Sequence, residues 1–275
     1  MSSCYSLLRA KEEVNRRLIL QHESFLKLLD GNLLNVPVAK SVNRVLDIGT
    51  GSGIWAAEFA TNHPTVEVVG IDNFPQPIIK APNNCHFMTQ DAEQEWQVGN
   101  AKFDIIHTRL VPFHAKEVPR VLHRCYEHLN PGGYIEMQEI MPPIRTDEPS
   151  GAPEHSSKVL EWVRLRKEAA SKLGIDYSIT DQLPEALSEA GFEEIQTLDL
   201  KLPIGGWMDN ENMKDVGKTF LECMQLGKLD LSLELLTQLG MEEGQIIDLV
   251  EQAGKELGVG KLYTMVRFVW ARKPV

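Results

Sequence analysis

Val45-Leu46-Asp47-Ile48-Gly49-Thr50-Gly51-Ser52-Gly53-Ile54-Trp55 is the most informative stretch of the sequence. A short β-branched, apolar run reads as a buried strand, the residues from Ile54 read as a helix, and a Gly-x-Gly-x-Gly loop joins them. In that setting glycines let backbone N–H groups come close to a ligand at a helix N-terminus. A dinucleotide fingerprint, Gly-x-Gly-x-x-Gly, would put glycine or alanine where Ile54 stands and gives no reason for an acid at Asp47. Pyrophosphate is therefore the weaker ligand for this loop.

Further along the chain, short apolar runs alternate with helical ones. Residues 44–48, 66–71, 86–90, 103–108 and 134–139 read as strands, and 54–62 and 116–129 as helices. Asn130-Pro131-Gly132-Gly133 reads as a turn closing the second helix. This rhythm implies right-handed βαβ crossovers and an α/β fold with a doubly wound, seven-stranded, mostly parallel sheet. Pro75, Pro77 and Pro82 argue against a helix in the second crossover. A proline-rich loop with Pro142, Pro143, Pro149 and Pro153 follows, then helices at 156–173 and 182–190 and a strand at 194–200. Two or three helical segments between 212 and 257 precede a last strand at 262–271. An amphipathic N-terminal helix, 12–29, ends at Asp30-Gly31; its Gln21 continues the apolar stripe beside His22 and suits either a satisfied inward polar group or a lid. The expected organisation is an N-terminal helical cap, 1–40, and a domain, 41–275, with a helical substrate-side insertion at about 207–258.

The chain has 275 residues, with 28 Lys+Arg against 39 Asp+Glu and a net charge of −11, which disfavours nucleic acid as a partner. At 43% hydrophobic and 24% charged it is ordinary for a globular protein. No apolar run approaches a bilayer span and the N-terminus has no secretory pattern, so the expectation is no membrane partner and a cytoplasmic location. Cys4, Cys85, Cys125 and Cys223 are scattered and read as reduced thiols; no Cys/His spacing suits a metal. The residues leave the oligomeric state open, a homodimer included.

Asp72 closes the second strand 25 residues after Asp47, where a carboxylate can accept ribose hydroxyls, and Asp91-Ala92 closes the third, where an adenine would lie. Three acids around one glycine loop describe a site for a nucleoside with a cationic tail. The set resembles the first three motifs of class I S-adenosylmethionine-dependent methyltransferases. With Leu20-Gln21-His22, Asp91 to Trp96, Phe103 to Arg109, Pro131 to Glu136, Gln138-Glu139, Leu202 to Gly205 with Trp207, and Ala271 to Pro274, the chain from Arg16 onward resembles the LaeA-like branch of fungal methyltransferases. Ile19, where the family more often has an acid, and Val111-Pro112-Phe113-His114 depart from its pattern.

That resemblance implies S-adenosylmethionine as cofactor, S-adenosylhomocysteine as product and a small-molecule substrate from secondary metabolism. It implies that Gly49, Thr50, Gly51 and Gly53 border the methionine moiety while Asp47 orients its amino group. Asp72 would hold the ribose, Asn73 would border the nucleoside, Asp91 and Ala92 would flank the adenine, and His107, Thr108 and Arg109 would line the floor below the methyl group. Methyl transfer chiefly needs alignment and exclusion of water. For a hydroxyl acceptor His107, His114 and Glu139 are the candidate bases by location. Arg109 suits an ion pair or a carboxylate clamp. Two other outcomes compete with O-methylation: a regulatory cofactor-binding protein working through protein partners, in which case the location would be nuclear, and an enzyme using the cofactor's charge for rearrangement or cyclisation. The absence of a long basic extension favours the tailoring enzyme.

Overall fold

The computed structural model describes residues 2–38, 41–73, 80–111, 117–147 and 157–275, residues 2–11 by backbone only. Its elements run α1(Ser2–Leu28), β1(Arg44–Ile48), α2(Ile54–Asn62), β2(Glu67–Asp72), β3(Cys85–Thr89), β4(Phe103–Arg109), α3(Val118–His128), β5(Leu129–Thr146), α4(Lys158–Lys172), α5(Ile179–Glu189), β6(Glu193–Pro203), α6(Glu211–Gly227), α7(Asp230–Thr237), α8(Glu243–Leu257) and β7(Leu262–Arg272). Seven strands form one sheet in the order β3-β2-β1-β4-β5-β7-β6. The β1–β2, β1–β4, β2–β3 and β4–β5 ladders are parallel. Gly132 N–H donates to Lys273 O at 2.9 Å and Asp147 N–H to Lys261 O at 3.0 Å, so β7 runs antiparallel to β5. The expected α/β sheet is thus present.

Strand alternation sorts the sheet into two faces. Val45, Val68 and Ile105 pack with Trp55, Phe59 and the alanines of α2. Leu46, Ile48, Ile71, Ile106 and Met137 pack with Val121, Leu122 and Cys125 of α3 and Leu183 and Leu187 of α5. Both faces are buried, which is why β1 and β2 read as continuous apolar runs.

Two expectations in the β5 region need correction. Asn130-Pro131-Gly132-Gly133 does not end in a turn between elements. The strand already starts at Leu129, and Phe103 pairs with Leu129 while Ile105 pairs with Tyr134, so the four residues form a bulge within β5. Pro142 and Pro143 belong to β5 rather than to a loop; proline is tolerated in a strand where its missing N–H is not needed by a neighbour. Pro75, Pro77, Pro149 and Pro153 lie outside the described residues. Cys85, Cys125 and Cys223 are buried free thiols. Among the described residues no helix is long and apolar enough to cross a membrane, and no His/Cys/Asp/Glu group is placed to hold a metal ion.

The chain divides into two compact units. One comprises 32–140, 178–199 and 266–275: β1 to β4, most of β5, α2, α3, α5 and the outer ends of β6 and β7. The other comprises 1–31, 141–177 and 200–265, where α1 packs on α6 and α4 on α7 and α8. In that helical unit His22 is buried and Gln21 only half-buried, so the imidazole, not the amide, takes the inward place on α1. Trp162 anchors α4 to α7 through Nε1–H to Ser232 Oγ at 2.7 Å.

Candidate functional site

The glycine loop is held from below and from within. Gly49 N–H and Thr50 N–H both donate to Ile71 O, at 2.8 and 3.0 Å, fastening the loop to β2. Thr50 Oγ1 donates to Asp47 Oδ2 at 2.7 Å, and Gly51 N–H donates to Asp72 Oδ2 at 2.9 Å. Gly51 has φ +51°, and among the described residues a Cβ built there would meet only the Gly49 carbonyl, 3.9 Å away. The loop thus bends around space that a side chain at Gly51 would enter, and Asp72 sets a carboxylate at its side.

β1 and β4 carry the next layer. Asp47 pairs in register with Gly70 of β2 and His107 of β4, and His107 with Glu136 of β5. Gly70 pairs in turn with Phe87. Phe87, Gly70, Asp47, His107 and Glu136 therefore form one row across five strands, their side-chain positions on the α2 face. A Cβ at Gly70 would lie 2.7 Å from both Phe87 Cδ1 and Thr50 Oγ1, so glycine there makes room for the hydroxyl that bonds Asp47. His107, fully buried, holds Asp47 Oδ1 with Nδ1 at 2.7 Å, and Trp55 stacks on its ring at 3.7 Å between centroids and 4° between planes. With Nδ1–H donating to the carboxylate, Nε2 is the basic atom, and it has no hydrogen-bond partner among the described residues. The Thr108 hydroxyl is likewise buried without one.

Of the other expected residues, Asn73 is exposed beside Asp72. Asp91 Oδ1 accepts from Glu93 N–H at 2.8 Å, and the Ala92 carbonyl accepts from Trp96 Nε1 at 3.1 Å; these fix the segment after β3. Gln90 N–H donates to Asp72 O at 2.9 Å, tying that segment to the end of β2. Gly53, φ +73°, caps α2 against Phe87. Arg109 follows in β4: desolvation pulls its guanidinium down to about 10 while the Asp47 and Glu58 carboxylates hold it up, so it stays cationic at neutral pH. Glu139 is fully buried in β5. Alternation puts it on the Thr108 and Met137 face, opposite His107, so two of the three candidate bases do not share a face. His114 lies outside the described residues.

Reading the sequence missed Glu136. Its Oε2 accepts from the Asn35 and Val36 N–H groups at 2.7 and 2.9 Å, and its Oε1 from Asn35 Nδ2 and Gln138 Nε2 at 3.0 and 3.1 Å. The available signal was a glutamate within the strand run Tyr134 to Glu139, two residues before another buried polar side chain, Gln138.

An adenosyl sulfonium suits these residues. The Gly51 bend leaves space, the Asp72 carboxylate can accept hydroxyls, and Asp47 places negative charge beneath the loop for a cationic tail. A family model described as a methyltransferase domain matches residues 20–197. Methyltransferase pytC of Aspergillus terreus is 30% identical over 225 residues, 80% of this chain and 68% of that protein. The secondary metabolism regulator LAE1 of Cochliobolus heterostrophus is 28% identical over 267 residues, 94% of this chain and 86% of that protein. Among solved structures the [4+2]-cyclase SpnF superposes with a TM-score of 0.55 at 19% identity, over 93% of this chain and 82% of that one, a likeness of fold. The chain belongs to the methyltransferase-domain family and is an S-adenosylmethionine-dependent methyltransferase.

Proposed function

We propose that this methyltransferase acts on a small, mostly apolar acceptor of secondary metabolism and methylates it at oxygen. The carrying observation is the open bend at Gly51 between the Asp47 and Asp72 carboxylates. In this reading Gly49, Thr50, Gly51 and Gly53 receive the methionine end, Asp72 and Asn73 the ribose, and Asp91 and Ala92 the adenine. Asp47 sets the charge under the amino group, with His107 beside it. When bound, the cofactor supplies an electrophilic methyl on a sulfonium. The protein's own task is to align the acceptor and exclude water.

A base assists an oxygen acceptor by taking its proton. In His107 the Nδ1–H bond to Asp47 fixes the tautomer and leaves Nε2 to accept, the arrangement a base needs. Because Trp55 stacks on the ring, His107 can equally act as the buried floor of the cofactor site. His114 and Glu139 remain the alternative proton acceptors, and His107→Gln separates them: an unchanged pH profile of turnover would move the role to one of these.

A second reading, a regulator acting through protein partners, draws on the similarity to LAE1 over most of both chains. Untargeted metabolite comparison of cells carrying the wild type or Asp72→Ala tests the choice. The expected result is a metabolite 14 mass units lighter accumulating with Asp72→Ala. Loss of many unrelated metabolites at once would favour the regulator.

A further inference from the structure

We propose that Glu136 is a positioning residue for the cofactor, acting through the Leu33 to Val36 stretch ahead of β1. Residues 32–38 lie on the segment ahead of β1, and the stretch Leu33 to Val36 is tied down at several points, all within one compact unit. Among the described residues Glu136 takes four N–H donors and no cation: Asn35 N, Asn35 Nδ2, Val36 N and Gln138 Nε2. A fully buried carboxylate satisfied only by neutral donors holds its partners tightly, because each would otherwise be stranded beside a charge without water.

The same stretch reaches the cofactor loop by a second route. The Leu33 carbonyl accepts from Trp55 Nε1 at 3.2 Å and from Gln138 Nε2 at 3.0 Å. Trp55 stacks flat on His107, His107 holds Asp47, and Asp47 holds Thr50 of the loop. Glu136 is also His107's in-register neighbour on β5. An unbroken set of contacts therefore runs from Glu136 through Gln138, Leu33, Trp55, His107 and Asp47 to Thr50, and Glu136 also fastens Asn35, two residues along the chain from Leu33. The linker orients the indole, and the indole fixes the plane in which the imidazole meets the Asp47 carboxylate. Loosening Leu33 to Val36 should weaken cofactor binding although no residue in that stretch belongs to the loop. This inference rests on the reading that the β1–α2 loop holds S-adenosylmethionine.

Calorimetric titration of S-adenosylmethionine into the full chain, paired with thermal unfolding, tests it without an acceptor. Asn35→Ala removes one donor to Glu136 and should weaken the Kd about fivefold or more, a coupling of ordinary size. Trp55→Phe keeps an aromatic ring on His107 but loses the N–H to Leu33, and should weaken binding similarly. Because both loosen the same stretch, Leu33 to Val36, the double variant should bind little worse than either single variant. Should Asn35→Ala not fold, Gln138→Met takes its place, removing the donor to Leu33 and Glu136 while keeping side-chain length. Lowered unfolding temperatures with wild-type affinity would overturn the proposal, as would penalties that multiply in the double variant. If the wild type itself fails to bind, the functional reading falls and takes this one with it; wild-type binding with indifferent variants removes this one alone.

Discussion

Asp47 and Glu136 stand on either side of His107 in one row of the sheet, both buried carboxylates, and they are satisfied in opposite ways. Asp47 faces an imidazole and a threonine hydroxyl, groups that can change protonation or rotate, and it adjoins the glycine loop. Glu136 faces four N–H groups that can only donate, three of them on the linker. In the proposed reading the first carboxylate belongs to a ligand site and the second to a fastening. A buried charge by itself therefore says little about function until its partners are counted.

Substitution should separate the two. Asp47→Ala strands the His107 ring and the Thr50 hydroxyl, and is expected to cost about 3 kcal/mol or more of stability. It should also weaken S-adenosylmethionine binding by roughly a hundredfold or more. Denaturant unfolding and calorimetry on the same preparation check both. Glu136→Leu should cost about 2–3 kcal/mol by leaving donors unsatisfied, with a smaller loss of affinity than Asp47→Ala. Equal losses of affinity would erase the distinction between site and fastening.

The loop glycines sharpen the contrast. A Cβ at Gly49 would run into Val111 Cγ2, so Gly49→Ala should destabilise the protein through a clash. Among the described residues Gly51→Ala meets nothing nearer than the Gly49 carbonyl at 3.9 Å and should cost only the about 1–2 kcal/mol of a left-handed non-glycine residue. Its main effect should be on cofactor binding. Wild-type affinity in Gly51→Ala would mean that the space at the bend is not the ligand's.

Smaller effects belong to groups away from the row. Burial pushes the Cys85 thiol up to about 11, with the charge of Asp47 adding to the rise. The folded thiol keeps its proton where an unfolded one, with an ordinary value of 9.0, loses it. The stability it contributes is complete below pH 9 and lost as pH rises towards 11. Thermal unfolding across that range should show a declining midpoint, less steep in Cys85→Ala. Smallest of all is the Arg44–Glu67 pair, whose glutamate is 46% exposed. Glu67→Gln should change stability by less than about 1 kcal/mol.

The parallel strands and α2 were legible in the sequence because β1 and β2 are buried on both faces and the glycine loop has one strand–turn–helix reading. The length of β5 was not. Pro131, Gly132, Gly133, Pro142 and Pro143 all signal interruption, yet neighbouring strands keep the chain extended around a bulge. Asp47, Asp72 and the loop glycines stood out as candidates because their spacing carries chemistry, and the structure brings them together around one loop. Glu136 did not, because three of its four donors lie on the linker, in a bond pattern that no local spacing encodes. The opposite facing of His107 and Glu139 depends on strand register, which two isolated motifs do not reveal.

Equilibrium titration of S-adenosylmethionine into the wild type and into Asp72→Ala is the most direct trial of the cofactor site. Saturable binding of one molecule per chain, abolished or severely weakened by Asp72→Ala, is the expected result. No binding to the wild type at about 1 mM, or equal binding to both proteins, would contradict it.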